Sequence, residues 1–92
     1  MADWYVYILR CADNSLYTGT TTDVPRRLDE HNTHNRLAAA YTRGRRPVKL
    51  VYSEVLPSRS DALKREHEIK RLDRADKQRL VRSQRRDDEG FE

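Results

Sequence analysis

The first apolar stretch of the chain does not alternate. Trp4-Tyr5-Val6-Tyr7-Ile8-Leu9 is apolar or aromatic at every position and mostly β-branched or aromatic. That pattern suits a strand covered on both faces. Ala12-Asp13-Asn14-Ser15 interrupts it with turn chemistry, because Asp and Asn bond their own main chain and tolerate unusual backbone angles. Leu16 to Thr21 returns as a second strand. Gly19 within it marks a bulge or the close approach of another group. The rest of the chain is organised around this hairpin, Trp4 to Thr20.

The period then becomes helical. Thr22-Asp23 caps a helix that the pattern places from Val24 to Asn35, with Pro25 in the first turn, where its missing N–H costs nothing. Val24 and Leu28 form its apolar stripe, His31 falls between them, and Arg27 lies on the flank. Arg36 to Pro47 is a basic connection in which Ala38-Ala39-Ala40 can form a helical turn. Val48 to Val55 reads as a third strand, ended by Pro57. Ser58 or Ser60 opens a helix to about Leu72. Asp73, with Asp76 three residues on, caps a last helix through about Val81. The order ββα–β–αα predicts an α+β fold: a small, largely antiparallel three-stranded sheet flanked by helices. The domain spans residues 1–82, and the charged stretch 83–92 is expected to be a disordered tail.

Charge placement adds to this picture. The net charge is +4, but residues 26–86 hold 18 Lys and Arg against 8 Asp and Glu, while the remainder holds 1 against 7. A basic field of that kind suits a polyanion, most often nucleic acid, or is simply a well-solvated surface. The single cysteine, Cys11, excludes an internal disulfide framework and a cysteine-based zinc site, and fits a reducing cytoplasm. No apolar run reaches the length of a membrane span or a signal-peptide core.

Three groups of residues fit packing poorly. Glu66 falls at about 40° on a helical wheel, inside the stripe made by Ala62, Leu63, Ile69 and Leu72. A carboxylate there needs an arginine partner or a metal. Arg27 and His31, four apart, share a helix face; a phosphate clamp with a proton-handling partner competes with a snorkelling Arg and a satisfied core His. Tyr7 and Tyr17 gain interest only jointly, across one hairpin beside Gly19. A four-residue loop pairing Cys11 with Leu16 would put these tyrosines on opposite faces. A shared site requires the pairing to shift by one, through an odd loop such as Asp13-Asn14-Ser15 or a bulge near Gly19.

Tyr5-Val6-Tyr7 followed by Tyr17-Thr18-Gly19, then TTTDVPRRLDEHN and RSDALKREHEIKRL, resembles the GIY-YIG nuclease superfamily, in particular its small stand-alone bacterial members. The resemblance spans about residues 4–80. Tyr5 replaces the motif's first glycine and Val6 its isoleucine, and Thr20 stands where some relatives have lysine. The resemblance implies metal-dependent hydrolysis of nucleic-acid phosphodiesters in repair or processing, with DNA favoured over RNA. It implies that Tyr7 or Tyr17 activates water and that Arg27 binds the scissile phosphate. His31 would support the tyrosine or orient the phosphate, and Glu66 would hold one Mg²⁺ or Mn²⁺. A single carboxylate is enough for Mg²⁺, which completes its shell with water and phosphate. The basic loop, through Arg43, Arg45, Arg46 and Lys49, would contact nucleic-acid phosphates. Two other readings stand beside this one: a non-catalytic nucleic-acid-binding module on the same fold, and a scaffold whose basic face binds an acidic protein.

Overall fold

The computed structural model describes residues 3–89 of the chain. Strand β1 (Trp4–Arg10) lies at the centre of an antiparallel sheet, between β2 (Leu16–Thr21) and β3 (Lys49–Leu56). Helices α1 (Val24–Thr33) and α2 (Ala40–Arg43) separate β2 from β3, and α3 (Arg59–Lys70) and α4 (Arg74–Glu89) follow. The expected α+β order is found, and β1 is covered on both faces as its continuous apolar run requires.

Alternation along β1 sorts its side chains between two layers. Val6 and Ile8 are fully buried with Ala62 and Ile69 of α3, Val81 of α4 and Tyr52 of β3. Tyr7 and Leu9 point to the other face and pack with Cys11, Val48, Tyr17 and Leu28 of α1. Burying a side chain such as Ile8 contributes about 1.5–3 kcal/mol. This double cover therefore holds the centre of a small sheet in place.

The hairpin register decides what the second face can do. Arg10 pairs with Leu16, Leu9 with Tyr17 and Tyr7 with Gly19. The loop is thus Cys11–Ser15, an odd length, and it makes the shift by one that a shared face needs. Asn14 takes a positive φ of 68° within it, and Asp13 Oδ1 accepts the Ser15 N–H at 3.0 Å. The β1–β2 ladder stays regular past Gly19; the sheet's irregularity lies instead between β1 and β3, at Ile8 and Leu9.

Side chains finish several helix and strand ends. Asp23 Oδ1 caps α1 through the Arg26 N–H at 3.1 Å, Ser58 Oγ caps α3 through Asp61 at 3.1 Å, and Asp73 Oδ1 accepts the Asp76 N–H at 2.9 Å. Two amide side chains bind the backbone of β3 and of the residue just before it. Asn32 exchanges a pair of hydrogen bonds with the Val48 backbone, and Gln84 does the same with Ser53. Gln84 imitates a neighbouring strand along the otherwise open edge of β3.

Some boundaries differ from expectation. Helix α1 stops at Thr33, two residues early. The short helical turn is Ala40–Arg43, later than the alanine run suggested. Leu63 is 41% exposed, so the apolar stripe of α3 is narrower than the wheel implied. Helix α4 runs to Glu89, past the boundary expected between residues 82 and 83. No Gly or Pro intervenes between Val81 and Gly90 to stop it. The end of the expected disordered tail, 90–92, lies outside the described residues. Among the described residues, no helix is long and apolar enough to cross a membrane.

Candidate functional site

Tyr7 sits at the centre of the face that α1 covers. Its partner in β2 is Gly19, and the contact explains the glycine: a Cβ there would lie 2.5 Å from Tyr7 Oη and 2.7 Å from Cζ. The missing side chain is the space into which the phenol folds. The Tyr7 hydroxyl then reaches His31 Nε2 at 2.8 Å. On the other side of the imidazole, Nδ1 lies 2.9 Å from Thr42 Oγ1. His31 and Thr42 are both fully buried.

Tyr17 joins the same cluster. Its ring centroid is 6.5 Å from that of Tyr7 and 5.3 Å, edge-on, from that of His31. Tyr41 of α2 stacks on Tyr17 at 5.9 Å, and the Arg45 guanidinium covers Tyr41 at 4.0 Å. Arg27 of α1 is held through one nitrogen. Its Nη1 donates to Glu30 Oε1 at 3.0 Å and to the Leu37 carbonyl at 2.6 Å. The guanidinium charge also acts on Tyr7 and favours its anion.

The electrostatics follow from this packing. Burial and the neighbouring Tyr17 push the Tyr7 phenol up to about 12, against the opposing pull of Arg27. Burial also raises Tyr17, with Arg27 opposing and the Glu66 charge adding to the rise. Burial works against the charge on Arg27, but Glu30 and Tyr7 more than offset it, so the guanidinium stays ionised. Burial, with Arg27 nearby, lowers His31 to about 4. The imidazole is therefore neutral at physiological pH.

Glu66 lies on α3, which packs along β1 and the edge strand β2. Its carboxylate is one-fifth exposed rather than sunk in the apolar layer, and its ion pair is a long 3.7 Å contact with Lys70. Its charge acts on both Tyr7 and Tyr17. Four residues singled out in the sequence thus meet on one sheet face, Tyr7, Tyr17, Arg27 and His31; Glu66 reaches the two tyrosines through its charge, from a helix whose buried Ala62 and Ile69 pack in the Val6–Ile8 layer. Among the described residues no cluster of three or more His, Cys, Asp or Glu could cage a metal. A lone, loosely paired carboxylate does fit a hard cation that keeps water and substrate oxygens in its shell.

The basic loop behaves less uniformly. Arg46 donates to the His31 carbonyl at 2.7 Å and to Asn35 Oδ1 at 2.9 Å, so it satisfies the end of α1. Arg45 pairs with Asp13 of the hairpin loop at 3.1 Å and donates to the Tyr41 carbonyl. Arg43 donates to the Asn35 carbonyl at 3.2 Å, and Lys49 is exposed at the start of β3. Two of these four side chains, Arg45 and Arg46, tie the loop to the body of the site. Sequence reasoning missed Thr42, Tyr41 and Asn32. No periodicity marks a buried threonine in a four-residue helix, and only the presence of Tyr41 in the basic connection hinted at an aromatic neighbour.

Residues 3–79 match the family model of the GIY-YIG catalytic domain. A UPF0213 protein of Natronomonas pharaonis is 59% identical over 80 residues, covering 87% of this chain and 92% of that one. The solution structure of a UPF0213 protein from Bacillus halodurans superposes with a TM-score of 0.55 at 48% identity, covering 86% of this chain and 82% of the other. The solution structure of an E. faecalis protein superposes with a TM-score of 0.62 at 40% identity, covering 90% and 86%. The hairpin register, the tyrosine pair on one face and these matches agree: the chain belongs to the GIY-YIG family of nucleases.

Proposed function

We propose that the protein is a divalent-metal-dependent endonuclease that hydrolyses nucleic-acid phosphodiesters, DNA in preference to RNA. One observation carries this reading: Tyr7, Tyr17, His31 and Arg27 meet on one sheet face, and the charge of Glu66 is felt by both tyrosines.

Each residue has a task that suits its chemistry. Arg27 has one nitrogen anchored, so the remaining guanidinium edge can pair with a phosphate in a fixed orientation. The same charge opposes the negative charge that builds on phosphorus during attack. Tyr7 Oη, after releasing its own proton to solvent, takes the proton of the attacking water as a phenolate, and His31 holds that oxygen in position. Tyr17 forms the wall beside it, backed by Tyr41. Glu66 would hold Mg²⁺ or Mn²⁺, which supplies charge for the phosphate and the leaving oxygen. The basic surface, with Lys49 and Arg43 at the site's margin, supplies phosphate contacts without base readout.

The test is cleavage of supercoiled plasmid and of a labelled single strand with Mg²⁺ or Mn²⁺, for wild type, Glu66→Ala and Arg27→Ala. The expected result is cleavage by wild type alone, with both variants folded. Equal cleavage by all three would assign the activity to a contaminant. The non-catalytic binding module draws support from the high Tyr7 phenol and from Thr20 at a position where the motif can carry lysine. Salt-dependent DNA binding without cleavage would favour it.

A further inference from the structure

His31 has partners on both ring nitrogens, and the partners decide which nitrogen holds the hydrogen. Two groups converge on Nδ1. The Ala39 backbone N–H points at it from 3.4 Å, and Thr42 Oγ1 lies 2.9 Å away. A peptide hydrogen is fixed by its plane and cannot turn aside. A ring hydrogen on Nδ1 would meet it head-on. The Thr42 hydroxyl can rotate, and its other acceptor is the Ala39 carbonyl at 2.9 Å. That oxygen already accepts the Thr42 N–H at 3.0 Å and the Arg43 N–H at 3.2 Å. Those two N–H groups take up both of its lone pairs at short range, whereas the Ala39 N–H reaches Nδ1 only at 3.4 Å, so Nδ1 is the better acceptor for the hydroxyl proton.

We propose that Thr42 and the Ala39 amide are positioning groups that hold His31 as its Nε2–H tautomer, so that it donates to Tyr7 Oη and does not act as a base toward it. This inference rests on the nuclease reading for its consequence but not for its geometry. The neutral ring carries one hydrogen, and with Nδ1 occupied as an acceptor that hydrogen lies on Nε2, 2.8 Å from Tyr7 Oη. The phenol releases its own proton to bulk water. The phenolate oxygen, stabilised by the His31 N–H and by Arg27, then takes a proton from the attacking water as the water's electron pair forms the new P–O bond; the scissile P–O bond breaks, and the leaving oxygen keeps its electron pair and takes a proton from solvent. The tautomer is thus set from helix α2 and its N-cap, by groups that contact His31 and not Tyr7.

The experiment uses the free 92-residue chain, labelled with ¹⁵N-histidine, and reads the ring nitrogens by long-range ¹H–¹⁵N correlation. The His31 signals are assigned by their loss in His31→Gln. The expected pattern is a protonated Nε2 and an unprotonated Nδ1. Thr42→Val keeps the shape and removes the hydroxyl; it is expected to move the ring toward a mixture of tautomers and to lower kcat about 10–100-fold at unchanged KM. Thr42→Ser is expected to restore both. A wild-type ring protonated on Nδ1 would overturn the proposal, as would identical ring signals in the Val and Ser variants. The correlation needs no nucleic acid. A correct tautomer in a chain that cuts nothing would therefore support the positioning role and defeat the nuclease reading separately.

Discussion

Val6 and Tyr7 are neighbours in β1, yet they point into different chemistry. Val6, with Ile8, meets Ala62, Ile69 and Val81 in a layer without a charged group among its buried members. Tyr7 meets His31, which meets Thr42, and all three are buried and joined by hydrogen bonds. An apolar layer tolerates small shifts, because its attraction is non-directional. A buried polar chain does not, because any unpaired member costs about 1–3 kcal/mol. One face therefore serves to hold β1 still, and the other exploits that stillness to keep a phenol, an imidazole and a guanidinium in register.

The largest expected break in this comparison is Gly19→Ala. The new methyl group has nowhere to go except into the Tyr7 hydroxyl, which is pinned to His31. Cleavage should fall by about 100-fold or more, as expected when a reacting group is displaced by an ångström. Overpacking should cost about 1–3 kcal/mol in chemical denaturation. Activity at the wild-type level would mean that Tyr7 has no part in the reaction.

The opposite face should respond in the opposite way. Ile69→Ala leaves a hole beneath Val6 and Ile8 and should cost about 2–5 kcal/mol. Activity per folded molecule should stay close to that of wild type. A large loss of kcat without a loss of stability would blur the distinction between the faces.

Acid provides a third probe, through His31. Its folded value of about 4 lies below the ordinary 6.5, so the unfolded chain binds a proton that the folded chain refuses. Stability is thus fully present above pH 6.5 and is lost as pH falls toward 4, by about 3 kcal/mol. Denaturant midpoints measured between pH 7 and 4 should show this slope, and His31→Gln should flatten it. The cleavage rate should show no histidine limb near pH 6.5. It should instead climb about tenfold per pH unit into the alkaline range, because the Tyr7 phenol is raised and more of it ionises as pH rises.

The smallest effect belongs to the edge of the sheet. Gln84→Ala removes both bonds that its amide makes with Ser53. The strand end can recover water, so the cost should be about 1 kcal/mol. Faster amide exchange should be confined to β3.

Much of this was readable from residues alone, for physical reasons. The unbroken apolar run of Trp4–Leu9 announced a strand covered on both faces. Asp23, Ser58 and Asp73 announced helix starts, because capping is local. Glu66 and His31 stood out because they occupied helical positions where packing alone asks for apolar groups. The loop length was not legible, since three-residue and five-residue loops give the same facing and only the register distinguishes them. Thr42 was hidden because its role is long-range: it meets His31 from a separate helix, and nothing in YTRG signals it. Arg45 and Arg46 looked like free cations because charge in a sequence does not say which carbonyl or carboxylate will claim it.

The most direct test of the polar face as the seat of chemistry is single-turnover cleavage by Tyr7→Phe at saturating Mg²⁺, with the fold checked by thermal melting. The variant keeps the ring that fills the space over Gly19 and removes only the oxygen that His31 engages. The account predicts a folded protein, destabilised by about 1–3 kcal/mol for the unpaired imidazole, whose cleavage rate falls at least about 100-fold. A folded variant that cuts at the wild-type rate would contradict it.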